Sequence, residues 1–229
     1  MRWVVTGANR GIGLEMVRQL VARGDFVEAT ARDVGAANEL RAVAEGASGR
    51  VRLHACEVAD DASVRRLASD LGDVAVDVLV NNAGVFGKMQ SLEDVDLDDA
   101  MRTFDVNALG PVRTTRALLP ALERGKTRKI AHISSGMGSI GDNTSGGAYA
   151  YRMAKAALNM ANKSMSVDLR ARGFVCVVVN PGWVQTDMGG AGAPTPVEES
   201  VRRILERLLG LRASDTGTFV DYKGGTLEY

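Results

Sequence analysis

The sequence predicts one α/β domain spanning residues 1–229, a doubly wound parallel β-sheet with helices on both faces. Three observations predict it. Short runs rich in Val, Ile and Ala alternate with longer helix-forming stretches. The first run leads straight into a glycine-rich turn, Gly7-Ala-Asn-Arg-Gly-Ile-Gly13. Polar and glycine-rich segments recur where the runs end. Repeated strand-then-helix order favours parallel strands joined by crossovers that cover both faces of a sheet. A length of 229 residues suits one sizeable domain of this kind.

The elements follow in order. Residues 2–6 form a β-branched first strand, and 14–23 a helix after the glycine turn. Residues 26–31 read as the second strand and 36–45 as a helix. A third strand at 51–55 precedes a helix at 61–71, whose aspartates suit its N-terminus. The apolar run 76–80 is a buried fourth strand ending in Asn81-Asn-Ala-Gly84. A long helix at 96–119 is expected to bend near Gly110-Pro111. Residues 129–134 give a fifth strand, then a Gly- and Ser-rich loop leads to a helix over 150–172, stopped by Gly173. A sixth strand at 175–179 ends at Asn180-Pro-Gly182, followed by a helix at 196–209 and a short strand at 218–220.

Composition narrows the function. Lys plus Arg and Asp plus Glu number 28 each, so net charge gives no reason to expect nucleic acid or an anionic membrane as partner. Cys56 and Cys176 lie far apart, Cys-x-x-Cys is absent and there are two histidines, which argues against a disulfide framework or a zinc site. No apolar run approaches the ~18 residues of a membrane span. The first residues reach Gly7 too soon to form the apolar part of a signal peptide. A reducing, cytoplasmic location is the expectation.

In such sheets ligands bind beyond the carboxyl ends of the strands. The turn Gly7, Asn9, Arg10, Gly11, Ile12 and Gly13 occupies the first such end and the head of a helix. Glycines there turn the chain tightly, bring bare N–H groups to a phosphate and let helix and strand approach. The spacing is not Gly-x-Gly-x-x-Gly, because Met16 holds the third glycine's place, and an ordinary glycine-rich turn is the alternative. At the second strand end, Ala31 leaves neutral the place where a free ribose 2′-hydroxyl would want a carboxylate, and Arg32 follows. Arg10 and Arg32 together suit a 2′-phosphate, so NADP(H) is expected over NAD(H). Asp33 argues the other way, and two solvated surface arginines are the alternative.

Tyr151-Arg-Met-Ala-Lys155 carries the chemistry. On a helix, residues four apart face the same way. A phenol keeps its proton to a pKa of roughly 10, and a neighbouring ammonium favours the phenolate. The pair is then a proton donor and acceptor tuned toward neutral pH. Alone the pattern is short, and two unrelated surface residues would show it equally.

Thr6-Gly-x-x-x-Gly-x-Gly13, Asn81-Asn-Ala-Gly84, Asn107, Ser135, Tyr151-x-x-x-Lys155 and Pro181-Gly182, in this order over nearly the whole chain, resemble the short-chain dehydrogenase/reductase family. Within it, GAYAYRMAKAALNMA, PGWVQTDMGG and GTFVDYKGG resemble the C-factor (C-signal) branch and the sniffer-type carbonyl reductases. The resemblance implies a Rossmann-type fold and hydride transfer between NADP(H) and a carbonyl/alcohol pair. It implies that Tyr151 protonates the developing alkoxide and that Lys155 lowers the Tyr151 pKa and holds the nicotinamide ribose. Ser135, rather than its neighbour Ser134, would bond the substrate carbonyl, and Asn107 would hold a water linking Lys155 to solvent. Asn82, Ala83 and Gly84 would line the adenosine ribose, Glu57 and Val58 the adenine. Pro181, Gly182, Val184 and Thr186 would cover the nicotinamide. Glu57 departs from the family's usual aspartate, and the loop after Met188 is short.

Phe86, Met137, Tyr149, Trp183 and Met188 are candidates for an apolar substrate pocket. His54 and His132 read as packed strand residues, and Gly-x-Ser-x-Gly is absent, so a Ser-His-Asp hydrolase is not indicated. The acidic run Glu93, Asp94, Asp96, Asp98 and Asp99 reads as a solvated loop and helix N-terminus rather than a metal site. Met153, Met160 and Met165 read as core or interface filler. The resemblance also implies a homodimer or homotetramer, paired through the helices at 96–119 and 150–172, with Leu118, Leu119, Met160 and Met165 as candidate contacts. A signalling or nucleotide-sensing protein on the same fold is the second functional expectation, since fold does not settle function.

Overall fold

The computed structural model describes residues 1–229. Fifteen helices and strands alternate: β1 Arg2–Val5, α1 Gly11–Ala22, β2 Phe26–Ala31, α2 Asn38–Gly46, β3 Val51–Ala55, α3 Asp61–Leu71, β4 Val78–Asn81, α4 Leu97–Phe104, α5 Gly110–Arg124, β5 Lys129–Ile133, α6 Tyr149–Asp168, β6 Val175–Asn180, α7 Val197–Gly210, β7 Phe219–Asp221 and β8 Thr226–Leu227. They build one eight-stranded sheet in the order β3-β2-β1-β4-β5-β6-β7-β8. All neighbours pair in parallel except β7 with β8. The antiparallel last strand adds to the expected parallel sheet. It pairs only two residues with β7, too short a run for sequence alternation to announce.

Period-two alternation sends successive side chains to opposite faces. Trp3 and Val5 join α1, α2 and α7 side chains such as Leu14, Leu40 and Ile204 in one apolar core. Val4 joins α3 and α5 side chains such as Leu67 and Leu122 in the other. At roughly 25 cal/mol per Å² of apolar area removed from water, these two layers hold the sheet between its helices. Both histidines sit in strands as expected. The His54 ring bonds the fully buried Glu28 carboxylate at 2.7 Å. His132 is fully buried, and burial drives its pKa down to about 3, so it stays neutral.

The long helix differs from expectation. Just before Gly110-Pro111 it passes through a π turn, Asp105–Leu109, and it continues to Arg124. The Gly110 N–H reaches back five residues to the Asp105 carbonyl. Pro111 then falls in the first turn of α5, directly after the π turn that rearranges the helix bonds. Gly110 is needed there because a Cβ would lie 3.0 Å from Val58 Cγ2. The extension past Leu119 runs through Pro120, which faces solvent, where water can replace the lost bond.

The helix expected at 150–172 is α6 followed by a short 3₁₀ turn, Arg170–Arg172, and Gly173 at φ 78° ends it. Ala148, just before α6, holds a left-handed φ of 47°, a strained setting for a side chain. Its N–H donates to the Gln90 carbonyl, which helps fix where α6 begins. Leu118 lies wholly within the second core, and Leu119 and Met165 pack against it. These three pack toward the sheet. Met160, at 67% exposure, does point outward, together with Leu97, Met101, Met153 and Val167. No helix is long and apolar enough to cross a membrane.

Candidate active site

The strand order reverses between β1 and β4, and a cleft of about 1030 Å³ opens there, beyond the carboxyl ends of the strands. Its first wall is the glycine turn. Gly7 has φ +63°, and a Cβ on it would lie 2.7 Å from Ala83 Cα. Thr6 Oγ1 accepts from the Asn82 and Ala83 N–H groups, both at 3.0 Å. Asn82 Nδ2 donates to the Thr6 and Gly7 carbonyls at 2.9 and 3.0 Å. Asn82 thus staples the β4 end to the turn, and its amide is occupied by that task. Gly13 stands behind the wall, where a Cβ would strike Gly7 O at 2.4 Å.

Arg10 precedes α1 without a side-chain cap, and no acidic residue lies in the first turn. The first N–H groups of the helix therefore face the cleft without an internal anion. That is the electrostatic setting a pyrophosphate fits. A Cβ on Gly11 would come within 3.3 Å of Thr186 Cγ2 on the opposite wall.

The β2 end supplies Arg32, 72% exposed and 3.9 Å from Glu57 Oε2. Glu57 Oε1 accepts from the Ala59 N–H, so this carboxylate closes its own turn while edging the cleft beside Val58. Asp33 does not line the cleft; its Oδ1 accepts from the Ala36 N–H. Ala31 is a correction of geometry. It packs in the first core at 2% exposure, so a carboxylate substituted there would be buried.

The chemistry-bearing residues stand on β5, its following turn and α6. Tyr151, in the first turn of α6, is buried beneath Phe86, with ring centroids 4.7 Å apart. Lys155 Nζ lies 5.6 Å from the Tyr151 ring centroid and donates to the Ile133 carbonyl at 2.8 Å. Ser135 Oγ accepts from the Met137 N–H at 3.1 Å, which leaves its own proton free to donate. Ser134 is spent: it donates to Asn159 Oδ1 at 2.6 Å. Gly138 brings this turn against α6, where a Cβ would meet Lys155 Cβ at 2.8 Å.

Burial sets the proton affinities. It pushes the Tyr151 phenol up to about 12, and the Ser135 hydroxyl pulls it partly back. Burial pushes Lys155 down to about 8. Desolvation dominates at Tyr151, while the Lys155 ammonium gives its bond to the Ile133 carbonyl.

Asn107 lies fully buried in the π turn, outside the cleft lining. Its Oδ1 accepts from the Val85 N–H at 2.9 Å and its Nδ2 donates to the Val85 carbonyl at 2.7 Å. The side chain props the segment after Gly84. A Cβ on Gly84 would sit 3.1 Å from Asn107 Oδ1 and 3.7 Å from Lys155 Nζ, so Asn107 backs the Lys155 site directly.

Pro181, Gly182, Val184 and Thr186 form the far wall after β6. Phe86, Met89, Met137, Trp183 and Met188 give it an apolar mouth; Tyr149 does not line it. Several supporting residues escaped sequence reading. Asn180 Oδ1 accepts from the Gly136 N–H, joining the β6 end to the Ser135 turn. Asp99, read as part of a solvated acidic run, is buried and accepts from the Lys88 N–H at 2.7 Å. That bond secures the segment carrying Phe86. The helical spacing of Asp99 opposite an exposed Lys88 gave no sign of it.

A doubly wound sheet, a glycine turn at the first strand end, and a serine, tyrosine and lysine gathered across the cleft define a nucleotide-dependent oxidoreductase of the short-chain type. The chain belongs to the short chain dehydrogenase family, whose model matches residues 2–195. It is 55% identical over 161 residues to the C-signal of Myxococcus xanthus, covering 70% of this chain and 97% of that protein. Its structure is similar to the carbonyl reductase Sniffer of D. melanogaster, with TM-score 0.95, 34% identity and 100% and 99% of the two chains covered. It is also similar to an NADPH-bound carbonyl reductase from chicken fatty liver, with TM-score 0.93, 34% identity and 100% and 98% covered.

Proposed function

We propose that the protein reduces a carbonyl compound with NADPH, Tyr151 supplying the proton. The observation that carries this reading is the convergence of Ser135, Tyr151 and Lys155 on the one cleft that also presents the glycine turn and Arg32. The nicotinamide cofactor supplies a hydride to the carbonyl carbon when bound. The N–H groups at the head of α1 hold the pyrophosphate, and Arg10 and Arg32 hold the 2′-phosphate. Ser135 donates to the carbonyl oxygen and stabilises charge as it develops there. Tyr151 passes its proton to that oxygen, and Lys155 holds the nicotinamide ribose. Pushed up to about 12, the phenol is fully protonated at neutral pH, the state a reductase needs before the transfer. The structures of carbonyl reductases, one of them NADPH-bound, support the same reading.

The apolar mouth around Phe86, Met137 and Trp183 favours a carbonyl flanked by apolar or aromatic groups. Outward-facing Leu97, Met101, Met153 and Met160 on α4 and α6 support pairing of subunits through these helices. The test of function is NADPH consumption with a panel of aldehydes and ketones. A second reading, a developmental signal or nucleotide sensor, is favoured by the 55% identity to the C-signal. Tight cofactor binding without turnover of any carbonyl is what that reading predicts.

A further inference from the structure

Arg10 and Asp187 meet across the mouth of the cleft, Nη1 to Oδ2 at 3.0 Å. Arg10 belongs to the glycine turn; Asp187 belongs to the opposite wall, between Thr186 and Met188. Neither side chain makes another hydrogen bond. The wall segment is otherwise folded on itself. Trp183 Nε1 donates to the Gly189 carbonyl at 2.7 Å, and the Gly189 N–H donates to Thr186 Oγ1 at 3.1 Å. The ion pair is thus the polar tether between the two walls.

On the reading that NADP(H) fills this cleft, the Arg10 guanidinium has two claimants, the Asp187 carboxylate and the 2′-phosphate. Both want the same donors in the same plane. Serving both at once would draw two anions together. We propose that Asp187 is a specificity-determining residue: its carboxylate competes with the 2′-phosphate for Arg10. It thereby holds the preference for the phosphorylated cofactor below what Arg10 and Arg32 would give alone. A cofactor without that phosphate leaves the tether intact, whereas one with it draws Arg10 away and frees the Trp183–Gly189 segment. Glu57 does not play this part toward Arg32. Its nearest approach is 3.9 Å, and its other oxygen is engaged by Ala59.

Arg10 is 61% and Asp187 73% exposed, so water and salt screen the pair and the competition is modest. The test measures affinity for adenosine 2′,5′-bisphosphate and for 5′-AMP by calorimetry at low salt, on the full chain. Asp187→Asn should bind the bisphosphate about two- to fivefold more tightly, with 5′-AMP affinity unchanged. Asp187→Ser should move it in the same direction, and the gain should vanish in an Arg10→Gln background. In wild type, the bisphosphate but not 5′-AMP should alter the emission of Trp183, since Trp3 is fully buried. Unchanged bisphosphate affinity in both Asp187 variants overturns the proposal, as does equal tightening of 5′-AMP or a gain that survives Arg10→Gln. If wild type binds the bisphosphate no better than 5′-AMP, the NADP reading falls and takes the proposal with it. A wild-type preference that Asp187→Asn leaves untouched overturns the proposal alone.

Discussion

Lys155 lies over the Tyr151 ring, Nζ 5.6 Å from its centroid, yet spends its bond on the Ile133 carbonyl. The two groups are poised in opposite senses. Burial holds the phenol protonated, pushed up to about 12, and lets the ammonium lose its proton at about 8. On the proposed reading, Lys155 serves as a ribose ligand and an electrostatic partner only while it is charged.

That gives a pH prediction. Cofactor affinity should fall as pH rises through about 8, where Lys155 deprotonates. The stability term runs the other way. Its folded pKa is depressed from 10.5 to about 8, so between these values the unfolded chain binds more protons and stability rises with pH. The cost carried below about 8 is on the order of 3 kcal/mol. Lys155→Met should remove that rise and be more stable than wild type at neutral pH, with cofactor affinity lost. Urea unfolding across pH 7–10 checks it; a flat wild-type profile is the contrary result.

The glycine turn gives a second prediction. Gly7→Ala combines a left-handed φ of +63° with a Cβ 2.7 Å from Ala83 Cα. It should lose about 1–3 kcal/mol of stability and most of its cofactor affinity. Denaturant midpoints and dinucleotide titration measure the two effects. Retained affinity would show that the turn yields without harm.

Cofactor choice rests on exposed charge. Arg32→Gln should weaken NADPH binding by about tenfold and leave NADH binding unchanged. High salt should erode NADPH affinity more than NADH affinity. Equal effects on both cofactors would make Arg32 an ordinary surface residue.

The fold was legible in the sequence because strand alternation, turn glycines and helix composition agreed from residue 2 to 220. The two-residue β8 and the π turn were not, since neither has a compositional signature. At the site, motif spacing named Tyr151, Lys155, Ser135 and the turn. It could not show that burial raises the Tyr151 phenol, that Asn82 and Asn107 bond to backbone, or that Ala31 faces the core. Those are consequences of depth and direction, and residue order carries neither. Asp187 was invisible for the same reason: its partner, Arg10, is 177 positions away.

Subunit pairing is tested by charge. Met160 and Leu97 lie on the outer faces of α6 and α4 and are 67% and 68% exposed. Met160→Asp should leave the fold intact and convert an oligomer to single chains in light scattering. A wild-type mass equal to one chain at micromolar concentration would reject the pairing.

The most direct measurement compares wild type with Tyr151→Phe, recording NADPH consumption with apolar aromatic aldehydes and ketones and NADPH affinity on the same preparations. The variant keeps the ring against Phe86 and removes only the transferable proton. Wild type should turn over at least one such carbonyl, and Tyr151→Phe should fall by about a thousandfold with its NADPH affinity within twofold. Wild type that binds NADPH tightly but reduces nothing, or a Tyr151→Phe enzyme as fast as wild type, would contradict the account.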